Sequence, residues 1–418
     1  MDRSLKEKQS PKSRHRWLQL RLRSLLVLVT LSATVFGWVE WELDQRRREK
    51  PAIAWIEEMS GSVGFEFEFS VGVKLDRKPD RFFRVSWWDR FRDNLFGKRA
   101  VSVGLSRTRV SDLSPLNDLK HLHYLDLSET EVSDLIPLAD LTNLKELNLS
   151  DASEVHDLSP LAGLNSLSRL ILSSSSVSDL SPLASLENLE DLKLSSTKVR
   201  DLTPLAGLEK LDLLDLNNAS GVQDLYPLID LKNLSWLFLY RTTTSDLTPL
   251  AGLKDLEHLY LDSTKVSDLS PLAGLENLQE LNLMGAGTKV SDLSPLAGLK
   301  KLRLFHLSRS EVTDLAPLSE LEKLQFLTLC GEQLTDFSPL AELTNLQSLR
   351  LEGTSLSDLS PLAELKNLEI IYMSRTDVSD LSPLADLNLE SIFIRKTQVS
   401  KEQVEEFKLV HPNCRVYR

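Results

Sequence analysis

Between residues 98 and 399 the apolar positions follow one phrase, repeated thirteen times. A clean copy is Lys265-Val266-Ser267-Asp268-Leu269-Ser270-Pro271-Leu272-Ala273-Gly274-Leu275-Glu276-Asn277-Leu278-Gln279-Glu280-Leu281-Asn282-Leu283. Leu281 and Leu283 stand two apart, so on a strand they share one face, while Glu280, Asn282 and Met284 take the other. Leu269, Leu272 and Leu275 also point inward, so each coil is lined with leucine. One coil cannot bury such a lining alone, whereas stacked neighbours can. The aspartates Asp112, Asp134, Asp157, Asp179, Asp201, Asp224, Asp246, Asp268, Asp292, Asp314, Asp336, Asp358 and Asp380 mark the period. Nine of the twelve intervals between them are 22 residues, two are 23 and one is 24.

A proline follows each aspartate by three residues, from Pro115 to Pro383. Ser270-Pro271 suits the start of a helical turn, with the serine as cap and the proline in the first position. The segment back to the next strand is too short for a full helix, which predicts a short 3₁₀ or α turn on the convex side. A Thr or Ser column precedes the aspartate: Thr108, Thr130, Ser153, Ser175, Thr197, Ser220, Thr242, Thr264, Thr288, Ser310, Thr354, Thr376 and Thr397, with Glu332 interrupting it. These hydroxyls are expected to satisfy turn backbone groups from coil to coil. Extra residues fall in three loops, 151–154, 218–221 and 285–289, all small, polar or glycine-rich. Counting from residues 100–105 to 389–394 gives fourteen strands, an arc of about 62 Å at ~4.8 Å per strand.

The phrase L-x-x-L-x-L-x-x-T-x-V-S-D-L-S-P-L resembles the 22-residue repeat of internalin-like bacterial leucine-rich-repeat proteins. Those proteins usually carry Asn where this chain has Thr or Ser. The resemblance covers roughly 300 of the 418 residues and thirteen copies leave little room for coincidence. It implies an α/β fold: a curved leucine-rich-repeat solenoid with about fourteen parallel strands on the concave face, short 3₁₀ or helical turns on the convex face, and a ligand on the concave side. It names no ligand.

The ends break the pattern. Residues 1–23 are basic, with Arg3, Lys6, Lys8, Lys12, Arg14, Arg16, Arg21 and Arg23 against Asp2 and Glu7. Residues 24–39 carry no charge and would span about 24 Å as a helix at ~1.5 Å per residue, somewhat short of a ~30 Å hydrocarbon core. Trp17, Trp38 and Trp41 suit the interfaces, and Arg21 and Arg23 can snorkel. A transmembrane signal anchor is favoured over a cleaved signal peptide, since no A-x-A-like site follows Val39. It is also favoured over a buried helix, for which a solenoid has no place. The charge bias puts the N-terminus in the cytoplasm and the repeats outside, in the periplasm or at the cell surface.

Residues 40–97 are expected to form a juxtamembrane helix and an N-terminal cap. Pro51 opens a short helix through Met59, the alternation of residues 64–69 predicts a strand, and Trp87 and Trp88 begin an amphipathic helix ending near Gly97. Residues 400–418 form the C-terminal cap, with a helix from about Glu402 to Val410 opened by Ser400 and stopped before Pro412. The basic tail, single span, Trp-Ile-Glu-Glu helix and this ending are similar to a family of bacterial membrane-anchored leucine-rich-repeat proteins, a resemblance that brings no activity with it.

Charge and chemistry narrow the function. A net charge of −12 argues against a nucleic-acid partner, which calls for a basic stripe. Cys330 and Cys414 lie in different coils and show no disulfide framework or metal pattern. No G-x-S-x-G, HExxH or P-loop occurs, so the chain reads as no enzyme and as needing no cofactor or metal. His258, His306 and Asp262 on the concave face lack a third ligand at a suitable distance.

Strand alternation places Trp236, Phe238 and Tyr240, then His258, Tyr260 and Asp262, outward on neighbouring strands, with Leu304, His306 and Phe326 as a looser second group and Ile370, Tyr372 and Phe393 as a third. Three successive outward aromatics beside Leu237 and Leu239 point to an interaction surface for a protein or glycan. The first two groups are the candidate binding residues. The rival reading is a structural, envelope-associated repeat protein with no specific ligand.

Overall fold

The computed structural model describes residues 11–65, 100–285, 289–308, 310–331 and 333–418, and of residues 11–29, 31, 64 and 65 it describes the backbone alone. The expectations for residues 66–97, Trp87 and Trp88 included, and for Thr288 and Glu332 lie outside the described residues. A helix α1 (Pro11–Glu58) leads into strand β1 (Ser62–Phe65). Parallel strands β2 (Ala100–Gly104) through β15 (Ser391–Phe393) follow, one per coil, and after helix α2 (Lys401–Val410) the chain ends in β16 (Arg415–Tyr417). All sixteen lie in one unclosed sheet in sequence order, and only β1 runs antiparallel. The fourteen expected strands are therefore joined by one more at each end.

The leucine columns form a single continuous core, with Leu269, Leu272, Leu275, Leu281 and Leu283 all at most 1% exposed. Thirteen 3₁₀ turns line the side opposite the sheet. Their cap differs from expectation. The N-cap position is a leucine in most coils, Leu269 in the clean copy, and gives no side-chain cap. The aspartate supplies it instead: in all thirteen coils its Oδ1 accepts the backbone N–H two residues on, at 2.8–2.9 Å. A carboxylate is a stronger acceptor than a hydroxyl and suits the positive start of the turn. Proline then takes the second position, and the next N–H, that of Leu272, closes the turn on the Leu269 carbonyl, so the donor that proline lacks is one the turn does not use.

The threonine column works within a coil, not between coils. Thr108, Thr130, Thr197, Thr242, Thr264, Thr354, Thr376 and Thr397 each donate to the carbonyl three residues back, at 2.6–2.9 Å. In the two 23-residue coils Ala152 and Ala219 hold this buried position, and Ser153 and Ser220 are exposed in the inserted loop. Side-chain bonds between coils come from a different column. Asn143, Asn188, Asn233, Asn277, Asn345 and Asn367, just ahead of the strands, donate through Nδ2 to carbonyls of the preceding coil at 2.7–2.8 Å. An asparagine ladder therefore exists, in another place than the resemblance suggested.

Helix α1 runs unbroken through Pro51, where a fresh helix start was expected. Its buried positions Glu42, Arg46, Glu49, Ala52 and Ile56 recur at three- and four-residue spacing. Ile56 packs on the first coil so closely that a Cβ on Gly61 would lie 2.7 Å from Leu105 Cδ2 and 2.8 Å from the Gly104 carbonyl oxygen. Only glycine fits there. At the other end, Ser400 and Gln403 form a capping box on α2, which buries Val404 and Phe407 over the last coil. Among the described residues no helix is long and apolar enough to cross a membrane.

Candidate functional site

The strands present their alternate residues as columns across the sheet. One column runs Leu213, Trp236, His258, Glu280, Leu304, Phe326 on successive strands, and the next runs Asp215, Phe238, Tyr260, Asn282, His306, Thr328. The two predicted groups are thus one strip, and strand β10 (Glu280–Leu283) joins them. Trp236, Phe238, Tyr240, Tyr260, Asp262, Leu304 and His306 are half-buried, His258 is buried, and Phe326 is exposed.

The rings do not lie flat to solvent. Trp236 stacks on His258 at 3.4 Å between centroids and 17°, and Phe238 on Tyr260 at 4.9 Å and 20°. Strands about 4.8 Å apart bring ring faces together, so the strip shows mainly ring edges. Tyr240 stands beside this stack, with the Arg241 guanidinium 4.8 Å from its ring centre.

Glu280 ties the stack to the next strand, a role the leucine phrase concealed because the residue occupies an ordinary outward position. Its Oε2 lies 3.3 Å from His258 Nδ1 and accepts the Tyr260 hydroxyl. The His258 imidazole, with the Tyr260 hydroxyl, holds the Glu280 carboxyl below the usual carboxylate range despite partial burial. The signal that finds it is register: a carboxylate directly across from an outward histidine on the neighbouring strand. Nearby, burial without a compensating cation pushes Asp262 up to about 6, and burial lowers His306. Among the described residues no group of three or more His, Cys, Asp or Glu is placed to hold a metal ion.

A further stack was only half foreseen. Tyr372 and Phe393 stack at 4.4 Å and 13°, and Tyr417, on the unforeseen strand β16, extends them at 4.4 Å and 5°. The Arg350 guanidinium covers the inner face of Tyr372 at 4.2 Å.

A stacked sheet with 3₁₀ returns and leucine columns defines a leucine-rich-repeat solenoid, and comparison with known proteins agrees. The family description "Leucine Rich repeats (2 copies)" matches residues 254–298 and 344–386. An internalin, InlF of Listeria monocytogenes, is 29% identical over 70% of this chain and 86% of its own, with a TM-score of 0.67. A leucine-rich-repeat protein of Leptospira interrogans is 20% identical over 75% of this chain and 83% of its own, with a TM-score of 0.68. The plant peptide hormone receptor RGFR1, in complex with RGF2, is 18% identical over 68% of this chain and 53% of its own, with a TM-score of 0.55. No curated protein matches the chain. The chain thus carries leucine-rich repeats and is similar to internalins and other bacterial leucine-rich-repeat proteins.

Proposed function

We propose that the chain is a protein-binding scaffold whose contact surface is the concave strip from Trp236 to Phe326. The observation that carries this is the composition of the strip: aromatic rings on two neighbouring strands, a carboxylate linking them to the next, and Phe326 still 39% exposed. Aromatics in a wet, polar-rimmed patch are the residues that most often supply interface energy. Ring faces spent on one another leave little for a sugar ring to lie upon, which favours a protein over a glycan. A plant receptor with this fold, RGFR1, is in complex with RGF2, consistent with such use of the architecture.

A photo-crosslinking residue at Asn282, between the two aromatic groups, tests the reading in cells. It is expected to give a discrete protein adduct that Trp236→Ala with Phe326→Ala removes and that the convex position Ser270 does not give. Equal adducts at both positions, or none at Asn282, would leave the rings as a structural stack, the role of a repeat protein with no specific ligand.

We further propose that residues 24–39, in a helix not long and apolar enough to cross unaided, anchor the protein in a membrane with the repeats outside the cytoplasm, the span being extended by interfacial Trp17, Trp38 and Trp41 and by snorkelling Arg21 and Arg23. The uncharged run behind eight basic residues supports this. Protease added to intact spheroplasts is expected to digest the repeats. Survival of the repeats with loss of the basic tail reverses the orientation, and release of the full chain by carbonate without detergent removes the anchor.

A further inference from the structure

The outward face of the sheet changes sign along its length. From β2 to β10 its outward carboxylates are Asp126, Glu146, Asp191, Asp215, Asp262 and Glu280. The cations among them are few, and Arg169 is held between Glu146 at 3.6 Å and Asp191 at 2.9 Å. Beyond the aromatic strip the balance reverses. At the C-terminal end a cleft of about 600 Å³ is lined by Arg375, Arg395, Lys396, Phe393, Tyr417 and Glu352, with Gly353 and Ser374. Its one carboxylate, Glu352, lies 3.6 Å from Arg350. The side chains of Arg375, Arg395 and Lys396 are exposed and make no ion pair among the described residues.

The local backbone sets these cations together. Arg375 and Lys396 each follow a strand in the left-handed conformation, at φ 61°, and the Arg375 N–H donates to the Arg395 carbonyl at 2.8 Å, so the three lie on adjacent coils. One coil earlier the same left-handed position is Gly353, φ 69°, and a Cβ there would meet nothing within 4 Å. The missing side chain leaves the cleft open on that side. The rings add to the field. Phe393 is sandwiched between Tyr372 and Tyr417, so it offers the cleft its edge, the positive part of an aromatic quadrupole.

We propose that this cleft takes an acidic segment of a protein partner, an extended run of Asp or Glu side chains whose carboxylates accept hydrogen bonds from Arg375, Arg395 and Lys396. This rests on the reading of the concave face as a protein-binding surface and adds polarity to it: the partner lies with its acidic part over the C-terminal coils. Guanidinium forks match carboxylates two at a time, and carboxylates two residues apart on an extended chain are spaced by about 6.8 Å, within reach of cations on neighbouring coils. An acidic polysaccharide shares the charge but needs ring faces, and in this stack Arg350, Tyr372, Phe393 and Tyr417 cover one another, leaving the outer face of Tyr417.

The test measures fluorescence anisotropy of a labelled deca-glutamate peptide on the full chain, against deca-lysine and polygalacturonate. Deca-glutamate is expected to bind, more weakly at 300 mM than at 50 mM salt. Arg375→Ala with Arg395→Ala should weaken it at least tenfold, and so should Gly353→Glu, which places a resident carboxylate beside the cations. All three positions lie outside the leucine core, and circular dichroism confirms that the variants stay folded. Trp236→Ala should leave peptide binding unchanged, so loss of the Asn282 adduct and loss of peptide binding report separately on the two proposals. Peptide binding indifferent to the cleft variants overturns the inference. So does absent binding, or tighter binding of polygalacturonate that Tyr417→Ala abolishes.

Discussion

Asp262, in the turn after β9 (His258–Tyr260), and Glu280, on the neighbouring strand β10, lie in adjacent coils, yet their environments push them in opposite directions. Asp262 is more easily charged in the unfolded chain than in the fold, where burial raises it to about 6. Its contribution to stability is therefore highest at low pH and is lost as pH rises from about 4 to about 6. Asp262→Asn is expected to stabilise the fold at pH 7 by about 1–2 kcal/mol after discounting for the solvent that still reaches the group, read as a higher melting temperature, and to do nothing at pH 4. A lower melting temperature at pH 7 would show that the carboxylate has a stabilising partner. Glu280 runs the other way. Held low by His258 and Tyr260, it stabilises the fold above its ordinary titration range, and this is lost as pH falls through its folded value. Glu280→Gln should lower melting at pH 7 and converge with the parent in acid; identical melting curves at pH 7 would mean that the His258 and Tyr260 contacts contribute nothing to stability.

Within one coil, the strand and its return turn separate what alternation alone reveals from what it hides. Leu281 and Leu283 inward with Glu280 and Asn282 outward followed from spacing, because a strand has only two faces. Hydrogen-bond partners did not follow, since they depend on which backbone group a short side chain happens to reach. The cap expected of Ser270 falls to Asp268, and Asn277, which spacing alone does not single out, bonds across to Lys254. Thr264 and Ser175 make the distinction measurable. Both are buried in the same column, but Thr264 Oγ1 donates to the Leu261 carbonyl at 2.7 Å whereas Ser175 Oγ has no partner among the described residues. Thr264→Val is expected to cost about 1–2 kcal/mol, and Ser175→Ala to be neutral or slightly stabilising. Similar losses at both sites, measured by urea denaturation, would mean that the column acts by packing and not by its hydroxyls.

At the scale of the whole molecule, the repeat is what made the sequence readable. Thirteen copies average away the ambiguity of any one strand, while the two ends have no second copy to check against, so β16 and the unbroken α1 were missed. The same one-dimensional order governs failure. Each strand pairs only with the strands before and after it, so stability is a sum of coils and of interfaces between neighbours. Leu259 is fully buried mid-array and Phe407 is 5% exposed under the C-terminal cap. A charge at either site has no partner and should cost several kcal/mol locally, but the consequences differ. Leu259→Asp breaks the chain of interfaces at its centre, so hydrogen exchange should lose protection in the coils on both sides and unfolding should split into two transitions. Phe407→Asp uncaps one end, so protection should fall only in the last coils, fading toward β10. A uniform loss of protection from both variants would show that the coils unfold as one cooperative body, and nearest-neighbour additivity would not hold for this solenoid.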